Sequence, residues 1–156
     1  HKGNVYIRTT RMDTQVLYDA DEEFPIGGSK TLRASDDDVA TVIGCGVTLH
    51  EALTAYDELK ADGIAIRVID LYSVKPVDEA TLALAAAETG VIITVEDHFA
   101  QGGIADAVRS GLDGKSANVR SLAVRKMPRS GKPTELLDFE DISASAIVRT
   151  VRELTA

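Results

Sequence analysis

Glu96-Asp97-His98 puts two carboxylates beside an imidazole, and Gly102-Gly103 follows four residues later. A carboxylate next to a histidine can act as an acid/base pair. No serine is recognisably placed to act as a nucleophile. The single cysteine, Cys45, lies on a turn with no evident activating partner, so a hydrogen-bonded loop at an interface is the simpler expectation. Gly44-Cys45-Gly46 separates an apolar run from a helical pattern. In a dinucleotide-binding fold such a turn holds a pyrophosphate on the helix N-terminus, with an acid such as Asp70 on the ribose. Leu49 stands where the third glycine of that fingerprint belongs, which favours a plain tight turn between strand and helix. Arg125, Lys126, Arg129 and Lys132 fall within a stretch free of acids, and Ser130-Gly131-Lys132-Pro133 has Pro133 where a phosphate loop needs a hydroxyl. That cluster is expected to dock another domain or to form fixed ion pairs. Arg8 and Arg11 flank Thr9-Thr10, and a guanidinium at a strand end can grip a phosphate or carboxylate with two parallel hydrogen bonds. His1, His50 and His98 are too widely spaced to form a metal-ligand set.

These groups must be carried by a regular scaffold. Residues 4–9 have the β-branched and aromatic content of a short strand. Residues 10–38 contain Pro25, Gly27, Gly28 and eight acidic residues without an apolar period, which reads as a connection holding one extended piece, Lys30 to Arg33. From residue 39 short apolar runs alternate with helical patterns. The strands are expected at 39–43, 64–69, 91–95 and 119–124. Helices follow each of them: the first carries Leu49, Ala52, Leu53, Tyr56 and Leu59, the second opens at Pro76 and Asp78, the third follows Gly102-Gly103, and the last carries Ile147, Val148, Val151 and Leu154. Thr48 with Glu51 three residues on has the pattern of a capping box. A basic loop is expected between the last strand and the last helix. Near-wholly apolar strands alternating with helices predict an α/β fold. Its architecture is a three-layer α/β/α arrangement around an open, twisted, mostly parallel sheet.

Composition narrows the class. The 156 residues carry 17 basic and 25 acidic side chains, a net charge of −8. Such an acidic chain with 4% aromatics lacks the basic surface and stacking platforms that nucleic acids require, so no nucleic-acid partner is expected. No apolar run reaches the roughly 18–20 residues that span a bilayer, and no membrane partner is expected. No basic stretch leading into an apolar core opens the chain, so no secretory leader is expected. One cysteine cannot form an internal disulfide, which suits a reducing compartment.

Several stretches, taken in order, resemble the C-terminal part of transketolase. They are Val5-Tyr-Ile-Arg-Thr-Thr-Arg11, Gly27-Gly28-Ser29-Lys30, and Thr41-Val-Ile-Gly-Cys-Gly-Val-Thr-Leu-His-Glu-Ala-Leu53. Ile66-Arg-Val-Ile-Asp-Leu71, Lys75-Pro76, Thr94-Val-Glu-Asp-His98, Gly102-Gly103 and Pro128-Arg-Ser-Gly-Lys-Pro133 continue the series. The resemblance implies that residues 1–12 end the pyrimidine-binding domain, 13–33 connect, and 34–156 form the C-terminal α/β domain. It implies a transferase that moves a two-carbon ketol unit from a ketose phosphate to an aldose phosphate, in pentose phosphate metabolism in the cytoplasm.

The intact enzyme is then expected to use thiamine diphosphate and a divalent metal, magnesium or calcium. This segment is expected to hold neither, and to supply no catalytic residue. Arg11 resembles the arginine that binds the phosphate end of the substrate, although Met12 stands where the family usually has proline. The implied partners are the N-terminal and pyrimidine-binding domains, in the same chain or in a separate subunit of a split enzyme. A homodimer of the whole enzyme and a sugar-phosphate substrate complete the set. Alone, the segment is expected to be inactive. Alternative readings are a deoxyxylulose-phosphate synthase, the β part of a 2-oxo acid dehydrogenase, or a freestanding nucleotide-binding regulatory module using Gly44–Gly46 and Asp70.

Overall fold

A computed structural model describes residues 2–10 and 12–156. Arg11, singled out above, lies outside the described residues. Five strands, β1 (Lys30–Arg33), β2 (Thr41–Gly44), β3 (Arg67–Asp70), β4 (Val91–Phe99) and β5 (Asn118–Val124), form one sheet in the order β1-β3-β2-β4-β5. β2, β3, β4 and β5 run parallel, and β1 closes one edge antiparallel to β3. The helices are α1 (Val47–Ala61), α2 (Glu79–Glu88), α3 (Ile104–Gly111), α4 (Pro133–Phe139) and α5 (Ala144–Thr155). The expected α/β class with its mostly parallel sheet is therefore the observed one.

The two-residue period of each strand sorts its side chains into two cores. Val42, Val68, Ile93 and Val95 face one side, where Leu49, Ala52, Ala55 and Leu59 of α1 and Ile147, Val148 and Val151 of α5 cover them. Ile43, Ile69 and Ile92 face the other side, against Leu82, Ala85 and Ala86 of α2 and Ile104 and Val108 of α3. Burial on both faces explains why the strands are apolar runs rather than alternating ones. Gly111 of α3 allows the two helices of that layer to meet, since a Cβ there would lie 2.9 Å from Leu82 Cδ1 and from Val77 Cγ1.

Several expectations are corrected. Residues 4–9, expected to form a strand, pair with no strand among the described residues, and Val5, Tyr6 and Ile7 are exposed. β-branched content gives a segment a backbone preference, but a strand also needs a neighbour for its N–H and C=O groups, and the described residues supply none to this segment. The basic stretch is not loop throughout, because Pro133 opens α4. Glu51 does not close a capping box. Its Oε2 instead accepts from Ala144 N at 2.7 Å and caps α5, while Thr48 Oγ1 donates to Val95 O at 2.7 Å, tying α1 to β4.

Residues 17–29 are fastened to the sheet by specific contacts. Tyr18 donates to Asp70 Oδ2 at 2.6 Å, and Phe24 stands edge-on between the rings of Tyr18 and Tyr72. Gly27 N donates to Ser73 Oγ at 2.8 Å. Gly28 has to be glycine for reasons of space, because a Cβ would lie 2.2 Å from Tyr72 Oη. Ser29 Oγ donates to Asp78 Oδ2, and Asp78 also caps α2 by accepting from Thr81 N at 3.0 Å.

Candidate functional site

In an open parallel sheet, successive connections leave in opposite directions at one point. A crevice opens there, beyond the carboxyl ends of the strands. Here that point lies between β2 and β4, with β3 on one side and β5 on the other. Gly44-Cys45-Gly46 leaves β2, and Glu96-Asp97-His98 lies in the C-terminal half of β4. Cys45 and Glu96-Asp97-His98 are therefore brought together, and with Gly102-Gly103 and residues 8–10 they line a cleft of about 400 Å³.

The β2–α1 turn is a packing device. A Cβ on Gly44 would lie 3.0 Å from Leu49 N, so glycine lets the helix start directly against the strand end. Gly46 has φ +59°, in the left-handed region that side chains avoid. Asp70 is not offered to a ribose, because Tyr18 donates to it. Burial pushes the Asp70 carboxyl up, against the Tyr18 hydrogen bond and the charges of Lys30 and His50. Burial first, and then the hydrogen bond to Asp70, raise the Tyr18 phenol and keep it a donor. Burial also pushes the Cys45 thiol up, so it is a protonated thiol rather than a nucleophile at neutral pH. The parts of a dinucleotide site are present, but each is engaged elsewhere.

Glu96 is almost fully buried, and its carboxylate sits on the N-terminus of α3. Oε2 accepts from Ile104 N at 2.6 Å, and Oε1 accepts from Ala105 N at 3.2 Å. A negative charge at this end offsets the helix dipole and satisfies two N–H groups that a helix leaves unpaired. Gly103 makes this possible: a Cβ there would lie 1.8 Å from Glu96 Oε2. The neighbouring residues point differently. Asp97 and His98 are exposed on the cleft wall, and His98 Nδ1 lies 2.7 Å from Phe99 O, which fixes the ring with Nδ1–H donating. The triplet thus combines one structural carboxylate with two groups that face the cleft.

A second cavity of about 500 Å³ shares Arg8, Thr10, Val47, Asp97 and His98 with the first, and extends to α4 and the loop after β5. Here the basic cluster is brought to order. Lys126 pairs with Asp141 Oδ2 at 2.7 Å, Arg125 Nη2 donates to Ser121 O at 3.4 Å, and Lys132 lies 3.9 Å from Glu135. The Lys126 bond is the main cause holding the Asp141 carboxyl below the usual range. The Arg129 guanidinium lies 3.7 Å above the Phe139 ring centroid. Glu140, absent from the sequence reading, is central to this loop: its Oε2 accepts from Arg125 N at 3.1 Å and Lys126 N at 3.0 Å. A lone glutamate inside an acidic helix end gives no local signal of such a role.

The residues present do not fit thiamine diphosphate or its metal. Among the described residues no three His, Cys, Asp or Glu side chains gather to hold a metal ion. The α3 N-terminus, a natural seat for a diphosphate, is filled by Glu96. No described helix is long and apolar enough to cross a membrane.

Comparison with known proteins adds identity to this geometry. The profile described as "Transketolase, C-terminal domain" matches residues 28–147. The chain is 53% identical over 154 residues to "Transketolase-like protein 2" of Mus musculus, covering 97% of this chain and 25% of that protein. It is 47% identical over 155 residues to "Transketolase" of Homo sapiens, covering 98% of this chain and 25% of that one. The chain thus spans about a quarter of the length of the curated relatives it matches. Among solved structures it is similar to a "Split gene transketolase, inactive beta4 tetramer". That match has TM-score 0.82 and 30% identity, and covers 89% of this chain and 46% of that one. A transketolase from Campylobacter jejuni shares the fold, with TM-score 0.61 and 16% identity over 81% of this chain and 18% of that one.

Proposed function

The chain belongs to the transketolase family through its C-terminal domain, and we propose that it serves as the C-terminal part of an enzyme that transfers a two-carbon ketol unit between sugar phosphates. One observation carries this reading: the likeness to whole transketolases runs over nearly all of this chain while occupying a quarter of theirs. Thiamine diphosphate and its metal would sit in the other domains, where the cofactor supplies the electron sink for carbon–carbon cleavage. This chain's own residues do different work. Glu96 and Gly103 fix the α3 end of the cleft, Asp97 and His98 form its wall, and the exposed Val5, Tyr6 and Ile7 offer apolar surface to a neighbouring domain. By the family resemblance, Arg11 binds the substrate phosphate through the planar fork of its guanidinium.

The same reading places the domain in a dimer of the complete enzyme in the cytoplasm, with this segment inactive alone. The inactive tetramer of the split-gene relative supports the last point. The test is kinetic, in the assembled enzyme. Arg11→Ala should raise KM for phosphorylated sugars at least about tenfold, in line with the roughly 1.5–3 kcal/mol of a hydrogen bond to a charged group. It should leave non-phosphorylated sugars nearly unchanged. Equal effects on both classes would remove the phosphate assignment.

A further inference from the structure

Ser35-Asp36-Asp37-Asp38 forms part of the connection between β1 and β2. β1 runs antiparallel to β3 with Arg33 opposite Val68, so this turn sits at the amino ends of the parallel strands, away from the cleft. The three acids divide their work. Asp38 Oδ2 accepts from Ser35 N at 2.9 Å, and its Oδ1 accepts from Ser35 Oγ at 2.8 Å. Asp36 and Asp37 are exposed, as is Ser35 itself. An exposed hydroxyl followed by three carboxylates suits a protein groove lined with Lys and Arg. No other serine or threonine of the chain is followed by three acids.

A second observation points to the group that this serine receives. Ser35 and Arg67 line one cavity of about 440 Å³, and none of its residues lines the cleft. Arg67 is nine-tenths buried, and of the residues lining the cavity it alone carries positive charge. Its Nη2 pairs with Glu88 Oε2 at 2.5 Å. Its Nε has no acceptor within hydrogen-bond distance among the described residues, the Asp38 Oδ2 atom being 3.6 Å away. A buried guanidinium with an unused donor favours a further anion nearby. The attraction acts between charges across the cavity and needs no bond to Nε.

We propose that Ser35 is a phosphorylation site for a serine kinase with a basic substrate groove, and that the phosphoryl group stands in this cavity facing Arg67. Ser35 Oγ attacks the γ-phosphorus of a nucleoside triphosphate. The new O–P bond forms as the bond to the β-phosphate oxygen breaks, and the nucleoside diphosphate leaves with that electron pair. The hydroxyl proton passes to the catalytic base of the kinase. Asp38 Oδ1 loses its donor, and a group of charge about −1.5 to −2 with three acceptor oxygens stands in place of the hydroxyl. The exposed Asp36 and Asp37 engage the groove of the kinase, while Asp38 holds the turn.

The test treats the full 156-residue chain with magnesium, ATP and casein kinase 2, a serine kinase that selects acidic sequences. Intact mass and peptide sequencing should show one phosphoryl group per chain, on Ser35, and Ser35→Ala should accept none. Asp36→Asn combined with Asp37→Asn, both at exposed positions, should slow the transfer at least about tenfold by removing charge pairs across the kinase interface. In ¹H–¹⁵N spectra of the phosphorylated chain, the Arg67 Nε–H and the amides of Glu88 and Thr89 should shift. Absence of transfer, equal transfer to other residues, transfer only to the heat-unfolded chain, or indifference to the two acids would overturn the site. Shifts confined to residues 34–38 would overturn the placement of the phosphoryl group against Arg67.

Discussion

Replacing Gly103 by alanine is the sharpest test of how the Glu96 loop is built. The backbone at Gly103 has φ −96°, which any residue adopts, so glycine is required there by space alone. The new Cβ would lie 1.8 Å from Glu96 Oε2 and 2.8 Å from its Cδ. The carboxylate must withdraw, giving up its bonds to Ile104 N and Ala105 N. Each hydrogen bond to a charged group is worth about 1.5–3 kcal/mol, and the displaced charge remains buried. A loss of about 3–5 kcal/mol is expected, or a fall in Tm on the order of 10 °C for a domain of this size.

Gly102→Ala is the control. It has φ +73° but no neighbour within 4 Å of a Cβ, so only the left-handed strain of about 1 kcal/mol applies. Urea denaturation of Gly103→Ala, Glu96→Ala and the double variant completes a cycle. Once the carboxylate is gone, the added methyl has nothing to displace, so the double variant should be about as stable as Glu96→Ala alone. Additive losses, or a Gly103→Ala variant as stable as the parent, would refute the reasoning.

Other expectations follow from the same contacts. Gly28→Ala, whose Cβ would strike Tyr72 Oη, should free residues 17–29 and be cut by protease in that segment well before the parent chain. Burial raises the Asp70 carboxyl, so the native state holds that proton more tightly than the unfolded chain. Its contribution to stability is complete below the unfolded value of about 3.9 and declines as pH rises through the folded value. Asp70→Asn should therefore gain on the parent in Tm between about pH 4 and 7; a pH-independent difference would contradict this. The Asp78 carboxyl is held low. Burial works against this, but hydrogen bonds from Thr81 and Ser29 outweigh it, so its contribution is present above the unfolded value and lost as pH falls through the folded one. Asp78→Ala should cost about 1 kcal/mol at pH 7 by loss of the α2 cap, and less at low pH, as read by chemical denaturation. In the assembled enzyme, Asp97→Asn should weaken association of the domains more than turnover, as measured by sedimentation and steady-state rates.

The alternation of strands and helices was legible because each element is long enough to show its period. The buried strands read as apolar runs, and α5 shows Ile147, Val148, Val151 and Leu154 on one stripe. α4 was missed because its seven residues give too few turns to reveal a period amid basic residues, although Pro133 at its first turn was a usable sign. Residues 4–9 read as a strand because propensity reports backbone preference and says nothing of a partner. Glu51 satisfied the spacing of a capping box, yet it serves Ala144, 93 residues away. Tertiary pairing also took Asp70, Thr48 and Glu140 to roles that no local pattern contains. Glu96-Asp97-His98 was recognisable as a unit, but its division into a helix plug and two cleft groups depends on Gly103 lying beneath the carboxylate.

Reconstitution tests the central claim most directly. This chain is mixed with a separately produced polypeptide carrying the two thiamine-diphosphate-binding domains of a transketolase, and ketol transfer is assayed for each piece and for the mixture. The account predicts no transfer by this chain alone and activity in the mixture that co-elutes with a complex of the two. Transfer by this chain alone, or failure of the two folded pieces to associate, would contradict it.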